Sequence, residues 1–274
     1  MRFLSGIVLS GIVLCCTFVS QALYAAEPTV VPVTKRVDCD GTYKQHLQGI
    51  VTDGQFIYWS FTTKLVKTLL DGHIVVQVKA PSHQGDLCYH EGKIYVAVNR
   101  GVFNQETGAK SFVYVYKADD LVLLSTHDVP ELVHGAGGMD WSDGYFYVIG
   151  GLPEGRSENY VYQYTPEFKF VKRHVVPSGY TLLGIQTACY AHGFWWFGCY
   201  GQPAMLQCDK DFKVLDKTKF AAAVGLAVFP DGSMISGRNK AHRDPETEKV
   251  MYHTGWVLPA KYTSGKGLSL VNKE

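Results

Sequence analysis

The amino-acid sequence predicts an all-β protein that folds as a single β-propeller of five four-stranded blades. A polar residue followed by glycine recurs five times, each time before a run rich in aromatic and β-branched residues. The glycines are separated by 38, 52, 49 and 39 residues, a spacing typical of propeller blades. Such a pair between two strand-like runs indicates a hairpin, because glycine adopts positive φ without strain. The five pairs are Asp53-Gly54, Glu91-Gly92, Asp143-Gly144, His192-Gly193 and Asp231-Gly232.

Each hairpin lies within the same four-strand unit. An inner strand precedes the turn, and small residues in it, such as Gly49 and Gly85, suit the crowded centre of a radial array. A second and a third strand follow, and in four units another polar turn leads to a fourth strand. The fifth unit lacks a convincing outer strand. We expect residues 30–37 (VVPVTKRV) to supply it and to close the ring, which removes an exposed sheet edge.

Two alternatives to this architecture stay open at the level of the sequence. A sixth, degenerate blade is one of them. A two-sheet sandwich is the other, since it also has many short strands, but it gives no reason for a recurring four-strand unit. The unit resembles those of secreted propellers of the NHL and gluconolactonase-like kind over nearly the whole mature chain. This resemblance lies in the blade pattern and implies architecture only.

The first 26 residues are predicted to be a signal peptide, and residues 27–274 the propeller domain. Arg2 is followed by an almost wholly apolar run from residue 3 to 19, and Ala25 and Ala26 offer a cleavage site. We therefore expect a secreted or periplasmic protein, with an uncleaved membrane anchor as the alternative. Five cysteines follow this segment, an odd number that the sequence does not pair.

Charge and motifs exclude several functional classes. The formal net charge is +1, and no basic stripe is interleaved with aromatic residues, so no nucleic-acid partner is expected. No later segment is apolar enough to span a membrane after signal cleavage. No Gly-x-Ser-x-Gly nucleophile motif occurs. The expected partner is a small-molecule or carbohydrate ligand.

Histidines recur where the inner strands begin, and they predict a metal site. His46, His83 and His134 occupy this position in three units, and Gln186 occupies it in a fourth. Neutral imidazoles converging on the axis suit Mn, Fe, Zn or Ni, and Asp86 would complete or orient the ligand shell. A Ca²⁺ site is the weaker alternative, because few carboxylates lie near the axis. Equally, each histidine could bond a neighbouring backbone and lock adjacent blades together.

Arginines and aromatic residues predict how a ligand would be held. Arg100, Arg156, Arg238 and Arg243 are expected in loops between second and third strands, on the same face as the histidines. Of these, Arg100 and Arg238 would bind a carboxylate, sulfate or phosphate. Further candidate substrate-binding residues are Gln48, Trp59 and Thr187. The candidate catalytic residues are Asp86 and Tyr200, and Tyr200 and Trp59 could instead stack on a sugar.

Together these features favour a metal-dependent hydrolase or lyase that acts on an anionic or sugar-like small molecule. The alternative is a non-catalytic propeller that binds a glycan or a protein, with structural histidines. A glycosidase with two carboxylates has little support, because only Asp86 and Asp140 are candidates near the axis.

Overall fold

The computed structural model describes residues 33–272 and confirms the five-bladed β-propeller. These residues form five antiparallel sheets, one for each blade, and contain no helix. Consequently, no helix in this part of the chain is long and apolar enough to cross a membrane. The predicted signal peptide, residues 1–26, and residues 30–32 of the predicted closing segment lie outside the described residues.

Blades 1 to 4 each contain four strands that follow one another outward from the axis in chain order. Blade 1 contains β2 to β5, at Leu47–Thr52, Phe56–Phe61, Lys64–Leu69 and Ile74–Lys79. Blade 2 contains β6 to β9, at Gln84–His90, Lys93–Asn99, Ser111–Lys117 and Leu123–Asp128. Blade 3 contains β10 to β13, at Ala136–Ser142, Tyr145–Gly150, Asn159–Tyr164 and Phe170–Val176. Blade 4 contains β14 to β17, at Leu182–Ala191, Phe194–Tyr200, Met205–Cys208 and Val214–Thr218.

Blade 5 is closed by both ends of the described chain. Its inner three strands are β18 to β20, at Leu226–Val228, Met234–Arg243 and Val250–Thr263. The N-terminal strand β1, Val37–Asp38, pairs with β20 at Val257 and Trp256 and so closes the ring, but within the described part of the predicted strand only Val37 belongs to it. The sequence interpretation missed β21, Gly267–Leu270, which pairs with the other half of the same edge. Two short strands, β1 and β21, therefore cover the outer edge of β20, where one longer N-terminal strand was expected.

The polar–glycine turns have the backbone geometry that the sequence predicts. Glu91, Asp143 and His192 adopt positive φ together with the glycines that follow them. Two successive residues with positive φ form a type I′ turn, whose twist matches that of antiparallel strands. The recurring pairs therefore set the register between first and second strands in these blades.

The hydrophobic core is divided into five clusters, one at each interface between adjacent blades. Aromatic side chains supply much of the buried area, as for Phe146 between blades 2 and 3 and Trp196 between blades 4 and 5. All five cysteines in the described residues are buried free thiols. Packing between blades, and not disulfide bonding, therefore stabilises this part of the chain.

The axis is filled by direct contact between inner strands. Asp86, on the inner strand of blade 2, is 1% exposed, and its Oδ2 accepts a hydrogen bond from Ala188 N of blade 4 at 3.0 Å. A Cβ at Gly49 of blade 1 would collide with the Asp86 carboxylate, so only glycine fits there. Further along the axis, Asp140 accepts hydrogen bonds from Trp141 N at 2.8 Å and Tyr190 N at 2.6 Å. The channel is thus blocked by side chain and backbone.

We expect Asp140 to make folding stability depend on pH. Burial raises its pKa to about 7, so the folded state holds the proton more tightly than the unfolded chain. This contribution is complete below pH ~4 and is lost as the pH rises through about 7, with a size on the order of 4 kcal/mol. In Asp140→Asn the stability deficit relative to the wild type should therefore shrink between pH 4 and 8. Urea unfolding of both proteins at a series of pH values measures this stability deficit. A deficit that does not change with pH would contradict the prediction.

Candidate functional site

A pocket of about 140 Å³ lies on the axis at the end where the inner strands begin. Small residues such as Gly85 and Gly137 form part of its wall, which lets side chains from several blades approach the axis. Its polar side chains are two glutamines, an asparagine and a histidine, and none of its described lining residues is charged. The lining residues are Gln48, His83, Gly85, Asn99, Gly101, Phe103, Ala136, Gly137 and Gln186.

Gln186 presents a hydrogen-bond acceptor to this pocket. It is 7% exposed and is the fifth residue of β14. Its amide nitrogen donates to Leu183 O at 2.6 Å, and a carbonyl can only accept, so this contact fixes which end of the amide is the nitrogen. The amide oxygen is therefore left available to a ligand.

Gln48 joins two of the predicted metal ligands. Its Nε2 lies 2.9 Å from His46 Nε2, 3.2 Å from His83 Nε2 and 3.2 Å from Thr62 Oγ1. An amide group has two hydrogens for these three neighbours, so the neighbours compete for them. A third imidazole, that of His253, lies 5.9 Å from the ring of His46. The structure thus brings together His46, Gln48 and His83, and adds His253.

Both predicted ligands in this group are held neutral. Burial, followed by the nearby rings of His83 and His253, lowers the pKa of His46 to about 4. Burial also lowers the pKa of His83, although that residue remains exposed at the pocket mouth. At neutral pH the two rings therefore offer lone pairs and carry no charge.

His134 does not join this group, contrary to the predicted set of four ligands. Its Nε2 lies 3.6 Å from Glu106 Oε2, and its ring lies 6.1 Å from that of Tyr160. It lines a separate crevice of about 10 Å³. Within residues 33–272, no three His, Cys, Asp or Glu side chains lie close enough to share a metal ion. The predicted metal remains a prediction.

Neither predicted anion-binding arginine lines the pocket. Arg100 follows β7 as expected, but its Nη1 lies 3.4 Å from Tyr114 OH. Arg238 lies within β19 and not in a loop, because β19 and β20 extend as a long hairpin. Its Nη1 donates to Ala221 O at 3.0 Å and to Ser236 Oγ at 2.7 Å. Arg243 also belongs to β19, which corrects its predicted loop position.

Three further predicted site residues are placed in or near the core. Trp59 is fully buried and donates to Thr68 Oγ1 at 3.0 Å, so it has no face for a ligand. Thr187 is also fully buried, and its hydroxyl donates to Ala222 O at 2.7 Å. Tyr200 is half-buried at the end of β15, outside the pocket lining. Burial raises its pKa.

The candidate carboxylates stay out of the pocket lining. Asp86 is buried beneath the pocket, and its pKa is raised well above the ordinary value because burial disfavours the charge. The amides of Ala188, Leu87 and Ile50 oppose this shift, but Oδ1 still lacks a partner with hydrogen-bond geometry among the described residues. Asp140 lies further from the pocket along the same axis, on β10. Asp86 therefore lies outside the pocket lining, and its predicted catalytic role remains a prediction.

Sequence reasoning missed two lining residues, Asn99 and Phe103. Asn99 ends β7, and its side chain bonds the backbone of Gly101 and Lys110, at the two ends of the loop that follows. Phe103 is half-buried within that loop. An aromatic residue inside a Gly- and Asn-containing insertion on the expected face was the available signal.

No family model matches the chain, and no curated protein matches it in sequence. Solved structures share the fold. The chain is similar to Bacteroides ovatus xyloglucan PUL GH43B, with a TM-score of 0.57 and 12% identity over 88% of this chain and 56% of that one. It is also similar to xylan beta-1,4-xylosidase from Bacillus halodurans C-125, with a TM-score of 0.55 and 10% identity over 87% and 56%.

A third structure, a protein of unknown function from Bacteroides thetaiotaomicron, has a TM-score of 0.54 at 11% identity over 88% of this chain and 61% of that one. The chain thus spans 56 to 61% of the length of these three proteins. The likeness is one of fold. It confirms the propeller architecture that the resemblance to NHL and gluconolactonase-like proteins implies. It does not show that the chain belongs to either family.

We expect His46 to remain neutral down to about pH 4. The imidazole of His83 is one of the groups that lower the pKa of His46. The substitution His83→Ala should therefore raise the pKa of His46. His134→Ala is the matched control and should leave it unchanged. Titration of the imidazole ¹⁵N signals by NMR measures these values. A His46 pKa near 6.5 in the wild-type protein would contradict the described arrangement.

Proposed function

We propose that the protein binds a neutral, hydroxyl-rich small molecule of the sugar class in the axial pocket, without catalysing its hydrolysis. The observation that carries the proposal is Gln186, whose amide nitrogen is bound to Leu183 O and whose oxygen is left for the ligand. An amide oxygen accepts hydrogen bonds from hydroxyl groups. An ionised carboxylate has no hydrogen to donate to it.

The electrostatics of the pocket support a neutral ligand. Gln48, Asn99, Gln186 and the neutral ring of His83 are its polar side chains. Capture of an anion would call for arginine or lysine, and Arg100 and Arg238 contact other groups outside the lining. The axial pocket therefore favours the sugar-like ligand of the sequence-based hypothesis over the anionic one.

The pocket also offers the apolar surface that a sugar ring needs. Phe103 supplies an aromatic wall, and its ring lies against Gly137, another lining residue. A sugar has hydroxyl groups at its edge and C–H groups on its faces, so it fits a pocket with amides on one side and an aromatic ring on another. Ligand sites of this kind combine an apolar lining with a few placed polar groups.

Hydrolysis by paired carboxylates receives no support from the lining. A two-carboxylate mechanism needs both acids beside the scissile bond. Asp86 is buried below the pocket, and Asp140 lies on the far part of the inner strand of blade 3. These positions favour binding over glycoside hydrolysis.

Calorimetric titration with a panel of neutral monosaccharides and oligosaccharides tests this proposal, with the corresponding uronic acids beside them. We expect neutral sugars to bind and uronic acids to bind more weakly. Gln186→Ala should weaken binding roughly five- to tenfold, the size of about one hydrogen bond. The exposed Gln55→Ala is the matched control. Tighter binding of the acids, or full affinity in Gln186→Ala, would contradict the proposal.

A second candidate, a metal-dependent hydrolase or lyase, is favoured by the convergence of His46 and His83 on one atom of Gln48. Two neutral imidazoles are ligands that suit Zn, Ni, Mn or Fe, with Ca as the weaker choice, and the Gln48 amide would have to turn to offer its oxygen in place of Nε2. A bound metal would polarise a carbonyl group or lower the pKa of a water molecule. His134 and Gln186 would not belong to this ligand set.

Metal content per chain separates the two candidates. If a metal is held here, His83→Ala should lose it and His134→Ala should keep it, with both variants folded. Elemental analysis after soaking with each ion and desalting gives the numbers. Absence of stoichiometric metal in the wild-type protein, or equal loss in both variants, would remove the second candidate.

A further inference from the structure

The loop between β7 and β8, residues 100–110 and here called the strap, lies against the next blade. Its base is fixed by Asn99, whose Nδ2 donates to Gly101 O at 3.1 Å and whose Oδ1 accepts from Lys110 N at 3.1 Å. Val102 N donates to Gly108 O at 2.9 Å, which closes the loop on itself. The strap thus leaves blade 2 from a defined position.

The backbone and the side chain of Asn104 bind the strap to the backbone of blade 3. Asn104 N donates to His134 O at 2.9 Å, and Asn104 Oδ1 accepts from Leu152 N at 2.8 Å. Asn104 has a φ of 63°, a conformation that asparagine tolerates better than most residues. Between these anchors, the Phe103 ring lies over glycines of blade 3. A Cβ on Gly135 would come within 2.7 Å of Phe103 Cδ2, and one on Gly137 within 3.6 Å of Cζ.

An ion pair completes the attachment. Arg156, in the loop between β11 and β12, donates from Nε to Glu106 Oε1 at 2.9 Å and from Nη2 to Glu106 Oε2 at 2.7 Å. This parallel, two-bond geometry fixes orientation as well as distance. Glu106 Oε2 also lies 3.6 Å from His134 Nε2. The pair therefore joins the insertions of two adjacent blades beside the pocket.

We propose that Glu106 and Arg156 are a positioning pair, which holds the strap on blade 3 and so fixes Phe103 as the apolar wall of the pocket. This inference rests on the proposed function, because its consequence concerns a sugar in the pocket. The pair affects the affinity for that sugar without contacting it. Both side chains are about half exposed, at 54% and 49%, so the pair assists the Asn104 anchors and does not replace them.

Hydrogen exchange of the strap amides, measured without any ligand, tests the attachment. Arg156→Ala should raise exchange of the Asn104 amide several-fold, roughly two- to fivefold, as suits an exposed pair. Glu158→Gln, a charge change at an exposed position of the same loop, should leave exchange unchanged. The exchanged pair Glu106→Arg with Arg156→Glu should restore protection. Unchanged exchange in Arg156→Ala would overturn the proposal.

Titration of the same variants with a neutral sugar that binds the wild-type protein tests the positioning role. We expect Arg156→Ala to lose affinity several-fold, the exchanged pair to recover it, and Phe103→Ala to lose more than Arg156→Ala. Raised exchange with unchanged sugar affinity in Arg156→Ala would show that the pair does not position the wall. Should no sugar bind the wild-type protein, the proposed function fails, and the exchange result alone then supports or overturns the attachment.

Discussion

The contact across the axis between Asp86 of blade 2 and Ala188 N of blade 4 is the constraint on which the rest of the site depends. It joins the inner strands of two blades that are not adjacent, and it requires glycine at position 49 to leave room for the carboxylate. Placing a carboxylate in the interior is costly unless it is protonated or hydrogen-bonded. Here burial raises its pKa, and nearby backbone amides compensate in part. The result is a blocked axis, so the mouth of the propeller is a pocket with a floor.

This arrangement decides which chemistry the pocket can offer. Because the Asp86 carboxylate is buried beneath the lining residues, the side chains that face the pocket are amides, an imidazole and an aromatic ring. Amides carry no net charge and form directional hydrogen bonds with hydroxyl groups, and the aromatic wall adds apolar area. Histidines beside the pocket contribute lone pairs and no charge at neutral pH, because burial lowers their pKa. Binding of a neutral ligand follows more directly from these groups than acid–base hydrolysis does.

The fold could be predicted from local sequence because its signals are local. The pairs Glu91-Gly92 and Asp143-Gly144 indicate hairpins by residue type and position, and the structure has positive φ at both residues of each. The site depends on contacts between segments far apart in the chain. His134 occupies the same repeat position as His46 and His83, yet a loop from blade 2 lies against it and separates it from them. Arg238 was misplaced because nothing in the repeat reveals that β19 and β20 continue as a hairpin beyond the blade.

The most direct test is a crystal structure of the protein soaked with a neutral sugar at saturating concentration. The account predicts a sugar ring in the axial pocket, with one hydroxyl group donating to Gln186 Oε1 and one C–H face against Phe103. It also predicts that Asp86 stays beneath the ring without contacting it. A sugar bound elsewhere, an anion in the pocket, or Asp86 in contact with the anomeric carbon would contradict it.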